Sequence, residues 1–335
     1  MSCGELAAMN CYFCQSFNMM PPNRRKQLLS PPDILSNLPD SLINDILTRL
    51  PLRDAVRTSI LSRKWRYNWN GIQHLVLNLP RDKQHDLLHA NQYKLPSSLF
   101  TCSQLKHLFL QQCLIRPPPL FKGFDKLVIL ELIEVTISSE LLGSLIYHSP
   151  LLDHLVLDAN KVSHHIEISA PKLRSFFFSG NINFLHLKNV PLLSKVCYEP
   201  IDLFVKAEHD LVKIFESIPA LKNLCWDQCL QMSVFSDELC NEPVPRDAID
   251  KIPASFSDMT FNQLKTVKIK HVSGAEDEMQ LIKVLLAKSP ALVKMVIEPQ
   301  SMEDKKSLKV LEEITNFQWA SSKAQLDLHV SSIRS

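Results

Sequence analysis

A chain of 335 residues, 45% hydrophobic and 21% charged, has ample material for a large core and reads as soluble and globular. Its net charge of +2 offers no field to draw in nucleic acid or an anionic membrane. The six glycines, no two closer than twenty residues, exclude phosphate-cradling loops and the nucleophile turn of serine hydrolases, and no apolar window approaches the ~18 residues of a membrane span.

Residues 1–32 form a lead-in with no secretory signal: it lacks a positive n-region and a long apolar core. Its basic run Asn23–Lys26 reads as a solvated charge run. Cys11 and Cys14, with Cys3 nearby, have no second pair or His at zinc-site spacing. Nine scattered cysteines, an odd count, fit free thiols in a reducing compartment, hence nucleus and/or cytoplasm.

From Asn37 the chain reads NLPDSLINDILTRLPLRDAVRTSILSRKWRYNW. Leu42, Ile43, Ile46, Leu47 and Leu50 make one broad helical stripe that Pro39 and Asp40 open and Pro51 closes. Leu52, Ala55, Val56, Ser59 and Ile60 make a second stripe, and Trp65 and Trp69 stand four apart on a third helix. Three short helices in about 40 residues carry more apolar surface than so small a core can take.

An early strand follows at Ile72, in IQHLVLNLP, and 33 residues on a leucine frame begins. LKHLFLQQC from Leu105 has the pattern L-x-x-L-x-L-x-x-C. The frame returns at Leu127, Leu152, Leu173, Leu193, Leu221, Leu264 and Leu292, at intervals of 22, 25, 21, 20, 28, 43 and 28 residues. This is leucine-rich-repeat spacing. Each L-x-L is a short strand with its leucines turned inward, and the ninth position (Cys113, Asn160, Asn181, Cys229) satisfies turning backbone. Ser138–Pro150, Glu208–Pro219 and Ala275–Pro290 carry helical periodicity that ends at a proline before the next strand. Gln228–Thr260, with Pro243, Pro245 and Pro253, reads as an inserted loop. The architecture is an α/β solenoid whose repeats cannot bury their faces singly.

Strand alternation places His107, Phe109, Gln111, Ile129, Glu131, Ile133, His154, Val156 and Asp158 on the concave face. Ser175, Phe177, Ser179, Asn223, Cys225 and Asp227 follow. Within the run Phe176–Phe178 the outer two rings are expected in the core. The face is mixed apolar and acidic with few cations, which disfavours phosphate backbones and favours a protein ligand. Of these residues, His107, Phe109, Glu131, His154, Val156, Asp158 and Phe177 are the candidates for substrate binding. His164–His165 reads as a solvated loop pair, and Cys225 with Cys229 as repeat positions; no metal, cofactor or catalytic residue is expected.

The Leu-Pro-Asp opening, the Leu-Pro break, the Ala-Val pair and the closing Leu-Ser-Arg-Lys-Trp-Arg with a second Trp resemble the F-box of plant F-box/leucine-rich-repeat proteins. YKLPSSLFTCSQLKHLFLQQCLIRPPPLFKGF is similar to the first repeats of their F-box/FBD/LRR members, and LKTVKIKHVSGAEDEMQLIKVLLAKSPALVKMVI, ending near WASSKAQLDL, to their C-terminal FBD region. The resemblance covers Asp33 to about Leu328. This chain carries less sequence between the F-box and LPSSLF than family members generally do. Ahead of the F-box a disordered lead-in is expected over 1–32; the resemblance implies a three-helix F-box over 33–72, an α/β leucine-rich-repeat solenoid over 73–260 and an FBD-type region over 261–330. It implies a non-catalytic substrate receptor of a Skp–cullin–F-box ubiquitin ligase, bound to the Skp adaptor and through it to cullin and RING subunits, with a protein substrate and no nucleic acid or membrane. Carried over by motif, the adaptor contacts would be Leu38, Pro39, Ile46, Leu50, Leu52, Val56, Ser59 and Leu61, with Trp65 closing the seam. A non-ligase scaffold and a small-molecule-sensing solenoid are the competing readings.

Overall fold

The computed structural model describes residues 34, 35, 37–50, 54, 57, 58, 61, 65, 71–77, 93–95, 97–158, 165–181, 185–200, 208–227, 256, 258–299 and 304–328. One compact unit runs from Pro39 to Ser335. It opens with helix α1 (Asp40–Arg49), then strands β1 (His74–Leu77), β2 (Tyr93–Lys94), β3 (His107–Gln111), β4 (Cys113–Leu114) and β5 (Ile129–Ile133). Helix α2 (Ser139–Tyr147) precedes β6 (His154–Asp158), β7 (Ile166–Ser169), β8 (Ser175–Gly180), β9 (Leu185–Asn189) and β10 (Lys195–Pro200). Then come α3 (Glu208–Glu216), β11 (Asn223–Asp227), β12 (Thr266–Val272), α4 (Glu276–Lys288), β13 (Lys294–Pro299), α5 (Asp304–Thr315) and β14 (Gln325–Leu328).

Ten of these strands form one parallel sheet in the order β1-β3-β5-β6-β8-β10-β11-β12-β13-β14. The leucine frame explains its regularity. Each frame leucine donates its N–H to the carbonyl three residues back, as in Leu105 to Cys102, Leu127 to Phe124, Leu173 to Ala170 and Leu292 to Ser289. That turn drives the leucine inward: the eight frame leucines are all buried. One carbonyl per repeat then accepts two N–H groups from the next. Lys106 O takes Val128 and Ile129, Val128 O takes Asp153 and His154, and the relay continues through Asp153, Arg174, Ser194, Lys222 and Lys265. With both lone pairs engaged at every step, the register is pinned along the sheet, and a slip of one residue would turn every leucine outward.

The early strand at Ile72 is β1, paired in parallel with β3 from His74↔His107 to Leu77↔Leu110. The 33-residue interval therefore separates neighbouring strands. Helices stand where the sequence places them: α2 within the 25-residue repeat, α3 and α4 within the two 28-residue repeats. Ser138 caps α2, its Oγ accepting from Leu141 N at 3.3 Å. The shorter 21- and 20-residue repeats return instead as strands, β7 and β9, paired in a small separate sheet. An extended chain covers about 3.3 Å per residue against 1.5 Å in a helix, so a short return reaches the next frame only as strand.

Ahead of α4, buried Glu278 accepts from the backbone N–H groups of Ser273 (2.9 Å), Gly274 (2.8 Å) and Ala275 (3.2 Å), and from Ser273 Oγ at 2.8 Å. Burial raises its pKa while these bonds pull it down. The carboxylate is thereby spent on holding a helix entry.

Of the three helices expected over 33–72, α1 is described as a continuous element; Asp54, Arg57 and Trp65 are helical and the stretches between them lie outside the described residues. The inserted loop over 228–260 lies almost wholly outside them too, as do Asn160, Cys229, His164 and the lead-in cysteines. Cys113 is buried and Asn181 half-buried at their ninth positions. From β12 to β14 the alternation of strand and helix continues the same sheet.

Gly123 is confined by packing. A Cβ there would stand 2.5 Å from the His148 carbonyl oxygen and 2.7 Å from its carbon, backbone atoms at the end of α2. Gly123→Ala is expected to cost about 1–3 kcal/mol. Gly143, inside α2, has only Glu167 O at 3.5 Å, so Gly143→Ala should gain about 0.5–1 kcal/mol from helix propensity. Urea midpoints of the two variants moving in opposite directions is the expected result.

Candidate protein-interaction surfaces

Helix α1 is apolar on two sides. Ile43 and Leu47, four apart, are 0% and 1% exposed and belong to the core of this chain. Leu42 and Ile46, also four apart, are 50% and 39% exposed. The sequence merges these four with Leu50 in one stripe; the fold divides them between interior and surface. Pro39 and Leu61 are exposed, Leu38 and Leu50 half-buried, and Leu52, Val56 and Ser59 lie outside the described residues. Trp65 requires a correction. It is 2% exposed, so its ring is core of its own chain rather than a surface that closes a seam with a partner; a large apolar ring buries more area inward than a rim position offers. Leu42 is the surface residue that sequence reasoning left out, and its signal was the i, i+4 relation to Ile46.

The second surface is the outward face of the ten-stranded sheet. Registers align three rows across the strands. One runs His74, His107, Ile129, His154, Ser175, Lys195, Asn223, Thr266, Lys294. The next runs Val76, Phe109, Glu131, Val156, Phe177, Cys197, Cys225, Lys268. Asp158, Ser179 and Glu199 align in the third, which Asp227, Lys270 and Glu298 continue farther along the sheet. All seven candidate substrate-binding residues, His107, Phe109, Glu131, His154, Val156, Asp158 and Phe177, are half-buried on this face. His107 Nε2 meets Glu131 Oε1 at 2.8 Å, and its ring stands edge-on to His74 at 6.0 Å.

The C-terminal half of the face corrects the expectation of few cations. Lys268, Lys270 and Lys294 stand on it, each held by a carboxylate: Lys268 to Glu298 at 2.7 Å, Lys270 to Asp227 at 2.6 Å, Lys294 to Asp327 at 2.6 Å. Asp227 also meets His271 Nδ1 at 2.9 Å. Burial alone would push its carboxyl up, but hydrogen bonds from Lys270 and His271 outweigh that and hold it below the usual range. Glu199 is raised, first by burial and then by Asp227 and Asp158. The left-handed Gln112 (φ 53°), Glu134 (φ 50°) and His271 (φ 56°) lie at the C-terminal ends of β3, β5 and β12. Gln112 Nε2 donates to Glu134 Oε2 at 3.0 Å. Strain of this kind persists where side chains must be re-aimed, here along one rim of the sheet.

An apolar stretch (Val76, Phe109, Val156, Phe177) thus grades into a field of paired charges. Such a surface matches the mixed polarity of protein partners. Among the described residues no group of three or more His, Cys, Asp or Glu side chains is placed to hold a metal ion, and no helix is long and apolar enough to cross a membrane.

Two family models match the sequence: "F-box domain" over residues 35–72 and "FBD-associated F-box protein At5g56370, LRR repeats" over residues 67–228. The F-box/FBD/LRR-repeat protein At1g13570 of Arabidopsis thaliana is 25% identical over 408 aligned positions, covering 88% of this chain and 98% of that protein. The F-box/FBD/LRR-repeat protein At1g51370 of Arabidopsis thaliana is 29% identical over 37% of this chain and 40% of its own length. MEIOTIC F-BOX protein MOF of Oryza sativa subsp. japonica is 51% identical over 47 residues, 14% of this chain and 10% of that protein. An F-box followed by FBD-associated leucine-rich repeats, on a parallel-sheet scaffold, bears out the resemblance of this chain to the plant F-box/FBD/LRR-repeat family.

Proposed function

We propose that this chain is the substrate-recognition subunit of a Skp–cullin–F-box ubiquitin ligase, acting in the nucleus and/or cytoplasm. An F-box implies a Skp-type adaptor in general. The observation that carries the reading is that the matched segment presents Leu42 and Ile46 outward while the opposite side of the same helix, Ile43 and Leu47, is core. Leu38, Pro39, Leu50, Leu52, Val56, Ser59 and Leu61 complete the adaptor contact in this reading. The concave face, from His107 and Phe109 to Asp158 and Phe177, receives a protein substrate.

In this reading no residue of the chain takes part in the covalent steps of ubiquitin transfer. Its work is proximity: holding a substrate lysine near the charged conjugating enzyme raises effective concentration, without a catalytic group on the receptor. Proteins with F-box and leucine-rich repeats are generally non-catalytic adaptors, in keeping with this role. Mixing the purified chain with a plant Skp adaptor and a cullin–RING pair should give a complex of all four polypeptides on size exclusion. A folded, monodisperse chain that elutes apart from the adaptor would overturn the proposal.

A further inference from the structure

Two thiols stand side by side on the outward face of the ten-stranded sheet. Cys197 on β10 and Cys225 on β11 are direct register partners, and both are half-buried and free. Neighbouring strands lie about 4.8 Å apart, inside the Cα separation of about 4.4–6.8 Å that a disulfide spans. In parallel strands in register, both Cβ atoms leave the same face of the sheet. Cys225 stands between Cys197 on one side and Lys268 on the other in the row across the sheet. Lys268 is the next residue in register beyond Cys225, with Lys270 two residues along the same strand.

We propose that Cys225 is a peroxide-reactive thiol and Cys197 its resolving partner, so that hydrogen peroxide closes a disulfide across β10 and β11 in the middle of that face. The chemistry balances. The Cys225 thiolate attacks one peroxide oxygen, the O–O bond breaks, and the departing hydroxide takes a proton to leave as water. The sulfenic acid formed at Cys225 is then attacked by the Cys197 sulfur, which gives up its proton as a second water departs. Two thiols and one peroxide become one disulfide and two waters. A dithiol such as dithiothreitol reverses the product, itself becoming the cyclic disulfide.

The electrostatics set the order of attack. Its neighbour Cys197, with Lys270 and Lys268, brings the Cys225 thiol down against burial and Asp227. The neighbouring Cys225 and burial raise Cys197. Cys102 and Cys113 serve as internal contrasts: both are buried, and burial alone pushes them up to about 11 and about 12. A thiol's reactivity follows its thiolate fraction and its access, and Cys225 has both.

Peptide mass spectrometry on the full chain tests this. Cys229→Ser and Cys240→Ser leave Cys225 the single cysteine of its tryptic peptide, residues 223–246, while Cys197 falls in residues 196–206. Peroxide should link these two peptides with loss of two hydrogens, and dithiothreitol should restore them. With Cys197→Ser added, a dimedone adduct should accumulate at Cys225, about tenfold faster than at Cys113; with Cys225→Ser, neither link nor adduct should form at this pair. In the unsubstituted chain, iodoacetamide should modify Cys225 ahead of Cys102 and Cys113, a readout that no variant's folding affects. Absence of the 197–225 link, dimedone trapping at Cys197 instead, or Cys225 alkylation no faster than that of Cys113 overturns the assignment.

Discussion

Phe178→Ala should lower the free energy of unfolding by about 3–5 kcal/mol, whereas Phe177→Ala, one residue away, should cost about 1 kcal/mol or less. Phe178 is 1% exposed. Its ring lies 5.9 Å from Phe176 and 6.0 Å from Tyr198, nearly parallel to the latter at 11°, and Tyr198 meets Trp226 edge-on at 4.8 Å. The Tyr198 hydroxyl donates to Gly180 O at 3.1 Å, fixing its ring from behind. Neighbours held so firmly relax little into a vacated space, so both the transfer loss and the cavity are felt. Phe177 sits on the outer face between Val156 and Cys197, where truncation removes cross-strand contact but opens no void. Urea denaturation followed by circular dichroism measures both. In a solenoid each repeat is stabilised by its neighbours, so Phe178→Ala should also flatten the transition as the two sides uncouple. Equal losses at the two positions would mean that the register of β8 is other than described.

That contrast is legible in the sequence, because strand periodicity is local: the frame leucine at 173 fixes which phenylalanines face inward. The helices α2, α3 and α4 were legible for the same reason, each a single amphipathic run stopped by proline. Properties that depend on alignment between repeats were harder to read. Cys197 and Cys225 each lie four residues after a frame leucine, Leu193 and Leu221, and that offset is the signal that places them together. The first of these frames, LSKVCYEPI, keeps few of the repeat's leucines, so its outward residues carry a weak signal. Lys268 and Lys270 stand beyond the 43-residue interval, and only the sheet register joins them to the same face. The strand returns β7 and β9 lay beyond sequence reading altogether: their periodicity is short, and only the distance to be covered selects strand over helix. In α1 the amphipathic stripe located the helix, but a helix with two apolar sides gives no sign of which one its own chain will cover.

Ile46→Asp should weaken binding to a Skp adaptor about 30-fold or more, the equivalent of about 2 kcal/mol lost from one anchor, while the melting temperature of the isolated chain stays within about 2 °C. The separation rests on the two sides of α1. Ile46 already meets solvent at 39% exposure and Leu42 at 50%, so a carboxylate there is hydrated in the free chain and loses its water only when an apolar partner closes over it. Leu42→Asp should behave as Ile46→Asp does. Ile43→Asp should do the opposite, unfolding the start of the unit, because that position is fully buried and offers a charge no partner. Trp65→Ala belongs with Ile43: at 2% exposure it should cost about 3–5 kcal/mol of stability, so reduced adaptor binding in that variant reports folding and not contact. Calorimetric titration of the adaptor alongside thermal melts distinguishes the classes. Unchanged adaptor affinity in both Leu42→Asp and Ile46→Asp, with melts intact, would place the adaptor contact on some surface other than the outer side of α1.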